Sequence, residues 1–176
     1  NSTQPFTSHK APGKISATDY DLGRMGSAYL DKDYINLWVS DPAKRSEWNS
    51  GNQLRNDGVD IYKTNDNTYY VGKTEAGEWM QYTINSKMDK NFALNINYSS
   101  ATSGKMRIEN ASGKLLTTVS LDSTGGNENW KTASVKGIPL KKGENKIRIV
   151  FETDGINFNY FNEVFGAIHP GAVVVT

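Results

Sequence analysis

The sequence predicts an all-β protein, an antiparallel β-sandwich of the jelly-roll type. Three observations carry this expectation. Apolar residues recur with period two in several short runs. Clusters of Gly, Asn, Asp and Ser separate the runs, and no stretch shows an amphipathic helix of three turns. Successive side chains of a strand point to opposite faces, so alternation marks a sheet with one face buried. Many short strands joined by turns suit a sandwich or jelly roll.

In chain order, residues 1–11 are polar and read as a linker or a processed start. Residues 12–162 form the sandwich. Within them, residues 24–68 are long, polar and loop-like, with Trp38 and Trp48 embedded; a loop of that size is usually functional or mobile. In "WMQYTI", Trp79, Gln81 and Thr83 share one side and Met80, Tyr82 and Ile84 the other, so one aromatic is expected to face water. The next strands align Phe92, Leu94, Ile96 and Tyr98, then Met106 and Ile108 before the turn "ASGK", then Leu115, Thr117, Val119 and Leu121. "STGG" and "KKGEN" are turns, "KIRIVFE" aligns Ile147, Ile149 and Phe151, and 157–161 reads as a closing strand. Residues 163–176 read as a tail or linker whose valines suit a short edge strand.

Composition narrows the function classes. A net charge of +1 gives no electrostatic reason to bind nucleic acid or an anionic membrane. The absence of cysteine removes disulfides, thiolate metal sites and cysteine nucleophiles. No apolar run reaches membrane-spanning length. The two histidines, His9 and His169, fall in the expected tails, which argues against serine or zinc hydrolysis. Glu75 and Glu78 lie close together across a glycine turn, a poor arrangement for two carboxylates flanking a sugar. These residues therefore give no support for catalysis in this chain.

"PGKISATDYDLG", "AYLDKDYIN", "LRNDGVDI", "YYVGKTEAGEWMQYTI", "STGGNENWKTASV", "IPLKKGENKIRIVF" and "INFNYF" follow one another in this order. Together, from about Pro12 to Phe161, they resemble family 6 carbohydrate-binding modules, most of all the subgroup with a tyrosine–aspartate and arginine–"VDI" insertion. The resemblance implies a galactose-binding-domain-like jelly roll. It also implies a polysaccharide or oligosaccharide ligand, and attachment to a secreted or cell-surface bacterial glycoside hydrolase as its linked catalytic domain. The other reading is a structural module with a degenerate sugar site, packed against that neighbouring domain.

The resemblance implies two sugar sites. In the end-loop site, two rings sandwich a sugar and an asparagine bonds it. Lys73 and Asn127 stand at the two ring positions, and Asn157 keeps the asparagine. Trp48, Tyr70 or Tyr69 are candidates to replace a ring, Trp38 reads as packed, and Lys73, Arg55 and Asn127 would make a polar pocket suited to an acidic sugar. The second site lies on a sheet face and centres on Trp79, which either supports a mid-chain sugar or packs against neighbouring strands. Trp130, Tyr20, Tyr82 and Phe161 read as core.

The resemblance also implies a structural Ca2+, here near Thr18 and Asn159. Ser16 and Thr18 stand where acids are usual, and hydroxyls with carbonyls alone hold calcium weakly. Asp19 or Asp21 would have to compensate. Asp31, Asp33, Asn36 and Asp60 form a second oxygen-rich set that reads as solvated loop acids.

Overall fold

The computed structural model describes residues 2–32, 49, 51, 53–165 and, as backbone, 173–175. Trp38, Trp48, Asp33, Asn36 and His169 lie outside the described residues. Two sheets face each other. One is ordered β1 (Lys10–Ala11), β6 (Trp79–Ser86), β11 (Gly143–Phe151), β8 (Gly104–Asn110), β9 (Leu115–Leu121), with β3 (Tyr29–Leu30) also on β6. The other is ordered β13 (Val173–Val175), β10 (Gly126–Leu140), β7 (Lys90–Ser100), β12 (Asn157–Val164), β5 (Tyr69–Val71), β4 (Ile61–Lys63), with β2 (Gly13–Ser16) also on β12. Pairing is antiparallel except for β1 with β6 and β13 with β10. Among the described residues the one helical element is a 3-10 turn, Ala17–Asp19.

Alternation in the sequence becomes the division between core and surface. Met80, Tyr82 and Ile84 are buried, as are Leu94, Ile96 and Tyr98 on the facing sheet. Rings tie the layers together. Tyr82 of one sheet meets Phe161 of the other edge-on at 5.1 Å, Phe161 stacks with Phe158 at 6.0 Å, and Phe158 meets Phe151 at 6.4 Å. Each such pair adds about 0.5–1.5 kcal/mol beyond its buried area.

Residues expected as a linker are part of this body. Gln4 bridges Leu22, His9 is buried with its ring on the Asp19 carbonyl at 3.0 Å, and Lys10–Ala11 extends the six-stranded sheet. Gly13 is required where β2 begins: a Cβ there would lie 2.4 Å from the Lys10 carbonyl oxygen. The region read as loop also contains β3 and β4.

One core position is polar. Glu163 shares the inward side of β12 with Phe161, pairs with Leu94, and is 1% exposed. Neither carboxyl oxygen has a hydrogen-bond partner among the described residues, and burial pushes the group up to about 8. The unfolded carboxyl titrates near 4.5, so Glu163's contribution is fully present below that pH and is lost as pH rises through about 8. Urea unfolding at pH 5, 7 and 9 should show stability falling with pH. Glu163→Gln should flatten the fall by on the order of a few kcal/mol across the range; parallel curves for the two proteins would contradict this.

Candidate functional site

The outer face of the seven-stranded sheet carries a row of rings. On β4 and β5, Ile61 and Val71 are buried, so Tyr62 and Tyr70 face outward, both half-buried. On β10, Ala133 and Val135 point inward and Trp130 outward, also half-buried. Tyr62 and Tyr70 lie 5.8 Å apart at 31°, and Tyr70 meets Trp130 edge-on at 5.2 Å and 67°. Strands β7 and β12 separate β5 from β10, so the Tyr70–Trp130 contact spans the surface of both. A Cβ on Gly72 would approach Tyr62 to 2.9 Å and Tyr70 to 3.0 Å, so the two rings rest on bare backbone.

Trp130 is therefore not a core residue. Trp130 lies within the irregular stretch between Gly126 and Lys131, where the β10–β7 register shifts, and its ring sits on the outer face against Tyr70. Tyr62 was not among the expected residues. Its signal was the buried–exposed alternation at Ile61–Tyr62, inside a stretch otherwise polar enough to read as loop.

The polar candidates gather at one end of the same sheet. Val71 pairs with Phe158 and Asn157 with Ser99, which places the Gly72–Lys73 turn beside the start of β12. Asn157 Nδ2 donates to Ser99 Oγ at 3.2 Å, and Ser99 Oγ donates to the Asn127 carbonyl at 2.6 Å. Asn157 is mostly buried, whereas Asn127 and Lys73 are exposed, Lys73 with a left-handed backbone at φ 51°. Burial, with Glu128 nearby, raises the Tyr70 phenol and keeps it a neutral donor. Rings beside fixed amides can stack the apolar face of a pyranose and bond its hydroxyl rim.

Trp79 stands apart, on the outer face of the other sheet. It is half-buried, and the Arg148 guanidinium lies 4.0 Å from its ring centre. One face of the indole is thus covered by a cation rather than open to a sugar.

Arg55 does not join the polar end. It is 8% exposed and sits under the N-terminal segment. Its Nη1 donates to the carbonyls of Thr18 (3.0 Å) and Tyr20 (2.6 Å), its Nη2 to that of Asp21 (3.1 Å), and Asp57 lies 3.5 Å away. Tyr20 and Phe6 cover its two sides at 3.8 and 4.3 Å. The Tyr20 hydroxyl donates to Asp57, whose carboxyl burial raises and the Tyr20 bond and Arg55 lower. These contacts make Arg55 a clamp on the fold, because its donors already point at backbone.

Ser16, Thr18 and Asn159 do border one cavity, of about 540 Å³, with Asp19, Asp66 and Lys14. The donors do not fit calcium. Lys14, its ammonium 4.0 Å from the Tyr160 ring, brings a positive charge to the same cavity. The Thr18 carbonyl already accepts from Arg55, and burial raises Asp19 toward its neutral form. No group of three His, Cys, Asp or Glu able to hold a metal occurs among the described residues. Calcium needs six to eight oxygens, usually including carboxylates.

Glu78, near the glycine turn, is structural as well. Glu78 is buried, burial pushes it up to about 6, and its two oxygens accept from the backbone N–H of Lys32 and Glu75, each at 3.0 Å.

Outward rings and amides on a rigid two-sheet body define a binding module. The model of carbohydrate binding module family 6 matches residues 52–163, and the chain belongs to that family of non-catalytic modules. No curated protein matches the chain. Solved structures match over nearly its whole length. A family 6 module from Clostridium stercorarium, in complex with cellobiose, has a TM-score of 0.67 at 17% identity, covering 91% of this chain and 98% of that one. A β-1,3-glucan binding module from Bacillus halodurans has a TM-score of 0.61 at 20% identity, covering 89% and 98%. A glycoside hydrolase family 43 arabinoxylan arabinofuranohydrolase from Bacillus subtilis, in complex with cellotetraose, has a TM-score of 0.61 at 16% identity, covering 90% of this chain and 28% of that one. At these identities the matches establish the β-sandwich fold.

Arg55→Ala should lower unfolding stability by about 3 kcal/mol, measured by urea denaturation, because it orphans three carbonyls and Asp57. Millimolar calcium, or a chelator, should shift the thermal midpoint by less than about 1 °C, since binding to the native state is what raises it.

Proposed function

We propose that this chain holds a linked glycoside hydrolase on a polysaccharide, in a bacterial secreted or cell-surface protein, and that it belongs to the subgroup with the long first-half insertion. The sugar lies against Tyr70 and Trp130, beside Asn157, Asn127 and Lys73. The observation that carries this reading is the Tyr70–Trp130 pair: two half-exposed rings 5.2 Å apart on the same sheet face as a nearly buried asparagine. Exposed rings on a rigid sheet lose little conformational freedom on binding, and a sugar's C–H face desolvates them. Tethering then raises the effective concentration of the catalytic domain at its substrate without adding catalysis. The match to a module within a family 43 hydrolase supports the attachment.

A second reading, a scaffold module with a lost sugar site, draws on Lys73 and Asn127 standing where the family resemblance implies rings. The outward Tyr70 and Trp130 weigh against it, because they provide rings from neighbouring positions.

Isothermal titration against β-glucans, xylan, arabinan and agarose oligosaccharides tests the proposal. Trp130→Ala and Tyr70→Ala should each weaken the tightest interaction by roughly tenfold or more, as truncation of a central aromatic contact does. Asn157→Ala should weaken it as well. A flat panel for the wild type, or equal affinities for wild type and both ring variants, would leave the scaffold reading in its place.

A further inference from the structure

The end of the sandwich opposite Lys73, Asn127 and Asn157 is built from three neighbouring turns. Ser86 pairs with Gly143, Lys90 with Leu140 and Asn110 with Ile147, so the turns at 87–89, 111–114 and 141–142 close their strands at one end. The Lys142 N–H donates to Asp89 Oδ1 at 2.7 Å and ties two of the turns together. Val164 pairs with Ala93, which brings Phe165 to the same end.

Charge is sorted between the two ends. This one carries Lys87, Lys90, Lys114, Lys141 and Lys142, all exposed, against Asp89 and Glu144. The turns of the other end, at 72–78, 122–125 and 152–156, carry Glu75, Asp122, Glu152 and Asp154 against Lys73. Among the described residues the ion pairs are Arg55–Asp57, Arg107–Glu109 and Arg107–Glu152, so none of the five lysines is held by a carboxylate. The net charge of +1 averages the two ends and conceals this separation.

Apolar side chains stand among the lysines. Met88, Leu115 and Phe165 are three of the six large hydrophobic residues exposed among the described residues, and all three lie at this end. Met88 follows Lys87, Leu115 follows Lys114, and the Lys90 ammonium lies 4.5 Å from the centre of the Phe165 ring. Phe165 itself rests on Phe92 at 5.2 Å. A hollow of about 280 Å³ repeats the combination: its charged lining is Lys114, Lys141 and Lys146, with Leu116, Leu140 and Ile147 beside them. Cations next to apolar surface suit an amphiphilic anion, whose phosphate takes the charge and whose chain takes the rest.

We infer that this end of the module rests on an anionic lipid surface, with the lysines on the phosphate headgroups and Met88, Leu115 and Phe165 in the interfacial layer. Apolar tips on separate turns suit a fluid layer that admits each one independently, more than a rigid acidic protein that must offer a matching hollow for each. The contact is peripheral, and no helix among the described residues is long and apolar enough to cross a membrane. Seated this way, the module turns Lys73, Asn127 and Asn157 away from the lipid. The inference does not depend on the carbohydrate reading of the other end.

The test is co-sedimentation of the whole chain with vesicles of phosphatidylcholine alone and of an equal mixture of phosphatidylcholine and phosphatidylglycerol. The mixed vesicles should bind the protein, the neutral ones should not, and raised salt should release it. Lys141→Gln combined with Lys142→Gln should weaken binding by roughly tenfold or more, since each lysine near an anionic surface contributes about fivefold. Met88→Ser combined with Leu115→Ser should weaken it severalfold with every charge kept. Lys105→Gln, toward the other end, should change nothing. Trp130→Ala should spare vesicle binding while weakening glycans, so the two readings can fail separately. Thermal midpoints confirm that each variant is folded. Failure to bind the mixed vesicles, equal binding to both kinds, or full binding by the Met88 and Leu115 variant would overturn the inference. Retention on poly-L-glutamate without vesicle binding would also overturn it and assign the lysines to an acidic protein.

Discussion

Each strand of a two-layer sandwich gives one of its faces to the shared core. Here that core is a continuous set of alternating side chains, from Met80, Tyr82 and Ile84 on one sheet to Leu94, Ile96 and Tyr98 on the other. Phe151, Phe158 and Phe161 run through it. Chemistry is left to the outward positions and the turns. The rings of Tyr62, Tyr70 and Trp130 are offered to solvent because Ile61, Val71 and Ala133 beside them are buried. The same alternation sets Trp79, Gln81 and Arg148 on the far side.

The N-terminal segment is fixed by a charge rather than by packing alone. Arg55 places one guanidinium among the carbonyls of Thr18, Tyr20 and Asp21 and between two rings. Burying a cation is expensive unless its donors are met, and here the backbone and Asp57 meet them. A permanently charged side chain thus organises oxygen atoms of the kind a bound metal would gather, without depending on ion concentration. Glu163 shows the other solution to a buried ionisable group, which is to stay neutral.

The strand runs with clean alternation were legible in the sequence because each buried side chain belonged to an unbroken ladder: Phe92 to Tyr98, Met106 and Ile108, Ile147 to Phe151. The exceptions have local causes. Leu115, expected inward, is 51% exposed, next to a register shift at Ile108/Glu109 on the edge strand β9. Strand β10 was hidden by two bulges and by Gly137 and Pro139, and with it the outward turn of Trp130. Of the candidate site residues, Lys73, Asn127, Asn157 and Tyr70 gather at one sheet, whereas Trp79 lies on the other. Arg55 misled because its partners are carbonyls, and a carbonyl leaves no trace in residue identity. The packing of residues 2–11 was illegible for a related reason: their sequence is polar, and they are held by strand pairing and by His9 on a carbonyl.

The Tyr70–Trp130 row and the Trp79–Arg148 pair face away from each other, with two stacked sheets, about 10 Å apart, between them. A stiff polymer strand lying along one sheet has no route around the body to the other. Whatever rests on one face therefore leaves the other uncovered.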